Sequence, residues 1–96
     1  MQYNESQKRQ IWDNTTKPII ASNGVYLHNL YALDYRNNEV HWNCFGDRES
    51  EFGWEIDHII PVALGGRTIP RNLRVSHWKP NAILGGMLSA RLNNRC

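Results

Sequence analysis

Apolar and polar positions alternate with different periods along the chain, and the changes of period mark its elements. Asn4 to Asn14 predicts a short helix, with Asn4 or Ser6 as cap and Ile11 and Trp12 as its apolar edge. Lys17-Pro18 ends it, because the residue before a proline is driven out of the helical region. Ile19 to Leu30 is ambiguous, apart from a turn at Ser22-Asn23-Gly24 ahead of Val25-Tyr26-Leu27. Tyr31 to Tyr35 and Glu39 to Cys44, rich in aromatic and β-branched residues, flank Arg36-Asn37-Asn38 and predict a β-hairpin. Gly46 to Gly53 is a polar, acidic connection. Trp54 to Ile60 has strand character, and Pro61 with Gly65-Gly66 imposes a loop that runs to about Arg71. Asn72 to His77 predicts a second strand with Leu73 and Val75 on one face. Pro80 suits the first turn of a helix, which Asn81 to Leu92 continues with Ile83, Leu84, Met87 and Leu88 as its apolar stripe. Gly85-Gly86 weakens that helix by roughly 1 kcal/mol per glycine relative to alanine, which favours a bend. A helix and hairpin followed by strand, loop, strand and helix make the expected fold class α+β.

Length limits what these elements can bury. At 96 residues the chain is expected to form one domain, residues 1–96, with the helix and hairpin over 1–53 and the strand–loop–strand–helix unit over 54–92. A domain of this size buries only ~60 to 70% of its unfolded surface, so four Trp and four Tyr must carry much of the packing. No apolar run approaches the ~18 residues of a membrane span, and the N-terminus has no apolar stretch after its charges. A soluble, intracellular protein without membrane contact is expected. Cys44 and Cys96 form no Cys-x-x-Cys pair, so neither a disulfide framework nor structural zinc is supported. Free thiols are the default expectation, with a Cys44–Cys96 bridge or a disulfide dimer through Cys96 as alternatives.

The formal charge of +2 hides a strong asymmetry, because all nine acidic residues lie between Glu5 and Asp57. Beyond Asp57 come Arg67, Arg71, Arg74, Lys79, Arg91 and Arg95, so that end attracts polyanions such as a phosphate backbone. Arg67, Arg71, Arg74 and Lys79 are the candidate nucleic-acid contacts; Arg91 and Arg95 are better suited to complement the last helix's dipole.

One stretch carries candidate chemistry. Hydrolysis of a phosphodiester needs a nucleophilic water, charge stabilisation on the phosphate and help for the departing oxygen, and a divalent ion can supply the last two. Hard cations such as Mg²⁺ take oxygen ligands, which Asp57 and the amide oxygen of Asn81 could provide. A neutral His58 could take the proton from water, and Asn72, across the hairpin, could orient its imidazole by hydrogen bonding. Neighbours on a strand point to opposite faces, so the strand is expected to end, twist or bulge at Asp57-His58 for both to serve one site.

Glu55-Ile56-Asp57-His58-Ile59-Ile60-Pro61, Gly65-Gly66, Asn72-Leu73 and Asn81 resemble the HNH endonuclease family. Trp12, Gly53-Trp54 and His77-Trp78 extend the likeness to a bacterial and viral subgroup. The resemblance implies a small ββα-metal (HNH, His-Me finger) domain with an N-terminal helix and an additional β-hairpin. It further implies Asp57 and Asn81 as metal ligands, His58 as general base, Asn72 positioning it, and 5′-phosphate and 3′-hydroxyl products. The expected cofactor is one divalent ion, Mg²⁺ first, with Mn²⁺ or another divalent ion as alternatives. The expected partner is DNA, with RNA, a protein partner or immunity protein, and monomer or homodimer all left open. Two differences from the family stand out: paired cysteines for zinc are absent, and Leu84 stands where relatives of the subgroup tend to have a lysine. The second motivates an alternative, a non-catalytic nucleic-acid-binding module that retains the HNH scaffold.

The remaining candidates carry two readings each. Glu55 shares a strand face with Asp57 and could support the metal, although a salt bridge suits it better. His77, expected to open the final helix, could contact phosphate or act as a ligand; a packed or capping histidine beside Trp78 is the alternative. His28 and His41 lack acidic or cysteine partners at ligand spacing and receive no role. Trp12, Trp42, Trp54 and Trp78 are read as core aromatics, with base stacking as the sharper option.

Overall fold

The computed structural model describes residues 3–79. The expected helix over Asn81 to Leu92, and with it Asn81, Leu84, Arg91 and Arg95, lies outside the described residues.

Helix α1 spans Glu5–Thr15, and its start follows from a capping box: Asn4 accepts from the Gln7 amide at 2.8 Å while Gln7 Oε1 accepts from the Asn4 amide at 2.9 Å. Three antiparallel hairpins follow: β1 (Ile20–Ala21) with β2 (Gly24–Val25), β3 (Tyr31–Leu33) with β4 (Glu39–His41), and β5 (Trp54–His58) with β6 (Leu73–His77). The described residues are thus a small α+β assembly of one helix and short antiparallel hairpins. Among them no helix is long and apolar enough to cross a membrane. The ambiguous segment after Pro18 resolves into β1 and β2, a two-residue ladder with Ile20 opposite Val25.

The core gathers where α1 crosses β6. Ile11, Trp12, Ala32, Val40, Cys44, Phe52, Trp54, Leu73 and Val75 are all buried. Trp12 packs against Trp42 and Trp54 with ring centroids 5.4 and 5.2 Å apart, and the indole N–H groups of Trp12 and Trp54 donate to the carbonyls of His28 and His41, each at 2.8 Å. Large aromatic bodies with satisfied polar tips are what a short chain can use to build a core. Trp12, Trp42 and Trp54 thus take the packing role expected of them.

One consequence of the β5–β6 register is that the amides of Val75 and His77 point away from β5, toward an open strand edge. Both are met by side chains: Thr15 Oγ1 accepts from Val75 and the Asp34 carboxylate accepts from His77, each at 2.9 Å. Asp34 is fully buried and also accepts from the amides of Arg36 and Asn38 at 2.9 Å, so it both shapes the β3–β4 turn and ties it to β6.

Two expectations need correction. His41 does have an acidic partner: its Nε2 lies 2.5 Å from Glu39 Oε2, with both residues buried and the imidazole stacked 3.8 Å from the Phe52 ring. Residues i and i+2 share a strand face, so a ligand-spacing search overlooks the pair. Cys44 is buried and disulfide-bonded rather than a free thiol, and its partner falls outside the described residues.

Candidate functional site

The site is built on the end of the β5–β6 hairpin where the loop over 59–72 joins the two strands. The ladder runs without a bulge from Trp54 opposite His77 to His58 opposite Leu73, and the Ile59 amide extends it by donating to the Asn72 carbonyl at 2.8 Å. Of the expected end, twist or bulge at Asp57-His58, the structure shows an end: β5 stays regular through both residues and closes at His58. Strict alternation puts Glu55, Asp57, Arg74 and Ser76 on one face, and Trp54, His58, Leu73 and Val75 on the other. Asp57 is exposed, while His58 is half-buried at the rim of the core face.

Each of these side chains is held by a neighbour. Arg74, directly across the ladder from Asp57, approaches its Oδ2 with Nη2 at 3.4 Å and lays its guanidinium 3.6 Å from the centroid of the Tyr35 ring. That contact is long, and the carboxylate side chain is 48% exposed, so Asp57 keeps the oxygen chemistry and the access that a hard divalent ion requires. Among the described residues no group of three or more His, Cys, Asp or Glu side chains is arranged to hold a metal, and the second expected ligand, Asn81, lies outside them. Glu55 is engaged in a bidentate pair with Arg48, at 2.6 and 2.8 Å, the salt-bridge reading of that residue. The hydrogen bonds and charge of Glu55 hold the Arg48 guanidinium above its ordinary pKa.

His58 is positioned by Thr68 rather than by Asn72. Its Nε2 lies 2.8 Å from Thr68 Oγ1. Asn72, buried beneath the loop, instead bonds backbone: Oδ1 accepts from the Ile60 amide at 2.8 Å, and Nδ2 donates to the carbonyls of Ile60 at 3.1 Å and Arg67 at 2.8 Å. The amide thus spans both ends of the loop and fixes the segment that carries Thr68. The sequence reading placed Asn72 one step too close to the imidazole, because an asparagine's partners cannot be told from spacing when backbone and side-chain acceptors lie equally near. Thr68 was missed, and no local pattern distinguishes it from other loop hydroxyls.

Two glycines let the loop close. Gly65 takes φ of +91° to cap the short 3₁₀ turn Val62–Leu64, and a Cβ on Gly66 would sit 1.7 Å from the Ile60 carbonyl oxygen. Between α1 and this loop lies a cleft of about 170 Å³ lined by Tyr3, Gln7, Gln10, Ile11, Thr68, Pro70 and Leu73.

His77 is not available as a ligand or phosphate contact. It closes β6 instead of opening a helix, is buried, and has both ring nitrogens occupied: Nε2 lies 2.7 Å from the Glu51 carbonyl and Nδ1 accepts from the Lys79 amide at 2.9 Å. The alternative of a packed histidine beside Trp78 describes it. Of the four cations expected to touch nucleic acid, Arg67, Arg71 and Lys79 are exposed, and Arg74 is half-buried beside Asp57. His28, given no role, bonds Thr16 Oγ1 at 3.0 Å.

No model of a known protein family, no curated protein and no solved structure matches the chain.

Proposed function

We propose that the chain is a metal-dependent DNA endonuclease of the HNH type, with low intrinsic sequence specificity, nicking a strand or cutting both. The observation that carries this reading is the hairpin end itself: Asp57 and His58 adjacent at the close of β5, with Asn72 pinning the loop that returns to β6. Asp57, together with Asn81 beyond the described residues, would hold a divalent ion that supplies charge stabilisation on the phosphate and helps the departing oxygen. Asp57 and His58 lie on opposite faces of one strand end, so the side chain assigned to the metal and the one assigned to the water are separated by the strand. His58, half-buried and held at Nε2 by Thr68, takes the proton of the attacking water. Asn72 keeps Thr68, and through it the imidazole, in place. Arg67, Arg71 and Lys79 bind phosphates along the backbone.

The alternative, a non-catalytic module that binds nucleic acid on the same scaffold, draws on Arg74, which stands directly across the ladder from Asp57 and competes with a metal for its carboxylate. Incubation of supercoiled plasmid with the protein and Mg²⁺ or Mn²⁺ separates the two. The nuclease reading expects nicked or linear product that EDTA abolishes; salt-sensitive DNA binding without cleavage under either metal would support the module instead.

A further inference from the structure

The segment that follows His58 is apolar for six residues, Ile59-Ile60-Pro61-Val62-Ala63-Leu64, and it faces water. Ile59 is 46% exposed, Ile60 54%, Val62 62% and Leu64 77%. Exposed apolar side chains on a loose loop could fold back onto the protein, but this loop is held. Leu64 and Gly66 both donate to the Pro61 carbonyl at 2.9 Å, Gly65 donates to Val62 at 3.0 Å, and Asn72 grips the backbone at Ile60 and Arg67. A rigid, projecting apolar knuckle signals a surface that another molecule covers.

Its flanks say what kind of molecule. Arg67 and Arg71 follow within the same connection and are exposed, and neither forms an ion pair among the described residues. An apolar tip followed in the same loop by two exposed guanidinium groups suits a partner that combines phosphates with an apolar interior. Duplex DNA has that form, with phosphates on either side of stacked bases, and proteins that kink it insert Ile, Leu or Pro side chains at a base step. We propose that Val62 and Leu64 at the tip of this loop form a preformed wedge that enters a base step of duplex DNA while Arg67 and Arg71 hold the bordering phosphates. The inference rests on the nuclease reading for its substrate, and it adds a role for a loop that the chemistry of His58 does not use.

The test compares the full chain with a Val62→Ser, Leu64→Ser double variant and an Arg67→Gln, Arg71→Gln double variant. Binding is read in EDTA by fluorescence anisotropy, and unstacking by the emission of 2-aminopurine placed within the duplex. Wild type is expected to bind and to raise the 2-aminopurine emission. The serine variant is expected to keep the wild-type melting temperature, lose about tenfold in affinity or more, lose the emission rise, and retain the salt dependence of binding. The glutamine variant is expected to show a shallower salt dependence. Equal affinity and equal emission for wild type and the serine variant would overturn the wedge while leaving the nuclease reading intact. No duplex binding by wild type would overturn both. A serine variant with a much lower melting temperature would show that the loop is covered by the chain itself, and loss of binding to anionic vesicles but not to DNA would assign it to a membrane; either result overturns the proposal.

Discussion

Replacing Asn72 by alanine removes three hydrogen bonds, one accepted from the Ile60 amide and two donated to the carbonyls of Ile60 and Arg67, at a position 8% exposed. At about 0.5 to 1.5 kcal/mol for each bond, the loss comes to about 3 kcal/mol. For a domain of this size that lowers the melting temperature by about 15 °C, readable from the tryptophan signal. The effect should also be local. The Ile60 amide should lose protection from hydrogen exchange, and Thr68 should lose its fixed position against His58, so any cleavage activity should fall more than the stability loss alone explains. Asn72→Asp sharpens the reasoning. It keeps an acceptor for Ile60 but turns an anionic oxygen toward two carbonyls, so burial and those carbonyls raise the folded-state pKa of the new carboxyl above its unfolded value of about 3.9. A raised folded pKa means that the variant is closest to wild type below the unfolded pKa, and that its deficit grows as pH rises through the folded pKa. A melting temperature for Asn72→Ala within about 2 °C of wild type, or an Asn72→Asp variant as stable as wild type at neutral pH, would refute this account of the loop.

The other predictions concern the frame and the charges around it. Asp34→Ala leaves the amides of Arg36, Asn38 and His77 without their carboxylate and should cost about 4 kcal/mol in urea denaturation; a cost below about 1 kcal/mol would contradict its role as the tie between β3–β4 and β6. Arg74→Gln frees Asp57 from its cross-strand partner and should tighten Mn²⁺ binding, measured by calorimetry, by up to about fivefold, the worth of a partly exposed ion pair; weaker Mn²⁺ binding would show that Arg74 supports the ligand instead of competing for it. Breaking the buried Glu39–His41 pair with Glu39→Gln should destabilise the fold by about 3 kcal/mol without altering DNA affinity, and a stability equal to wild type would contradict a structural role for that pair.

What could be read from the sequence was what short-range chemistry decides. Asn4, one of two candidate caps, announces the start of α1, Arg36-Asn37-Asn38 the β3–β4 turn, and Pro61 with Gly65-Gly66 the loop after β5, because caps, turns and glycine conformations depend on residues a few positions apart. The parity of Leu73 and Val75 gave the buried face of β6 for the same reason. What could not be read depends on distant segments meeting. Asp34 looks like a turn residue, yet its second oxygen bonds an amide 43 positions away. Thr68 becomes the partner of His58 only once the loop has closed. Asn72 was identified as part of the site, but whether it faces a ring or a backbone is settled by the loop's path, which spacing does not contain. The Glu39–His41 pair was within reach of strand parity and was overlooked because a search for metal spacing asks a different question.

In the proposed reaction His58 removes a proton from water during phosphodiester hydrolysis. Initial rates of supercoiled plasmid cleavage in Mg²⁺, measured side by side for wild type and a His58→Ala variant of unchanged melting temperature, test it most directly. Wild type is expected to cleave in a chelator-sensitive way and the variant about 10²- to 10⁴-fold more slowly, the worth of a positioned general base. Equal cleavage by the two proteins, or none by wild type, would contradict it.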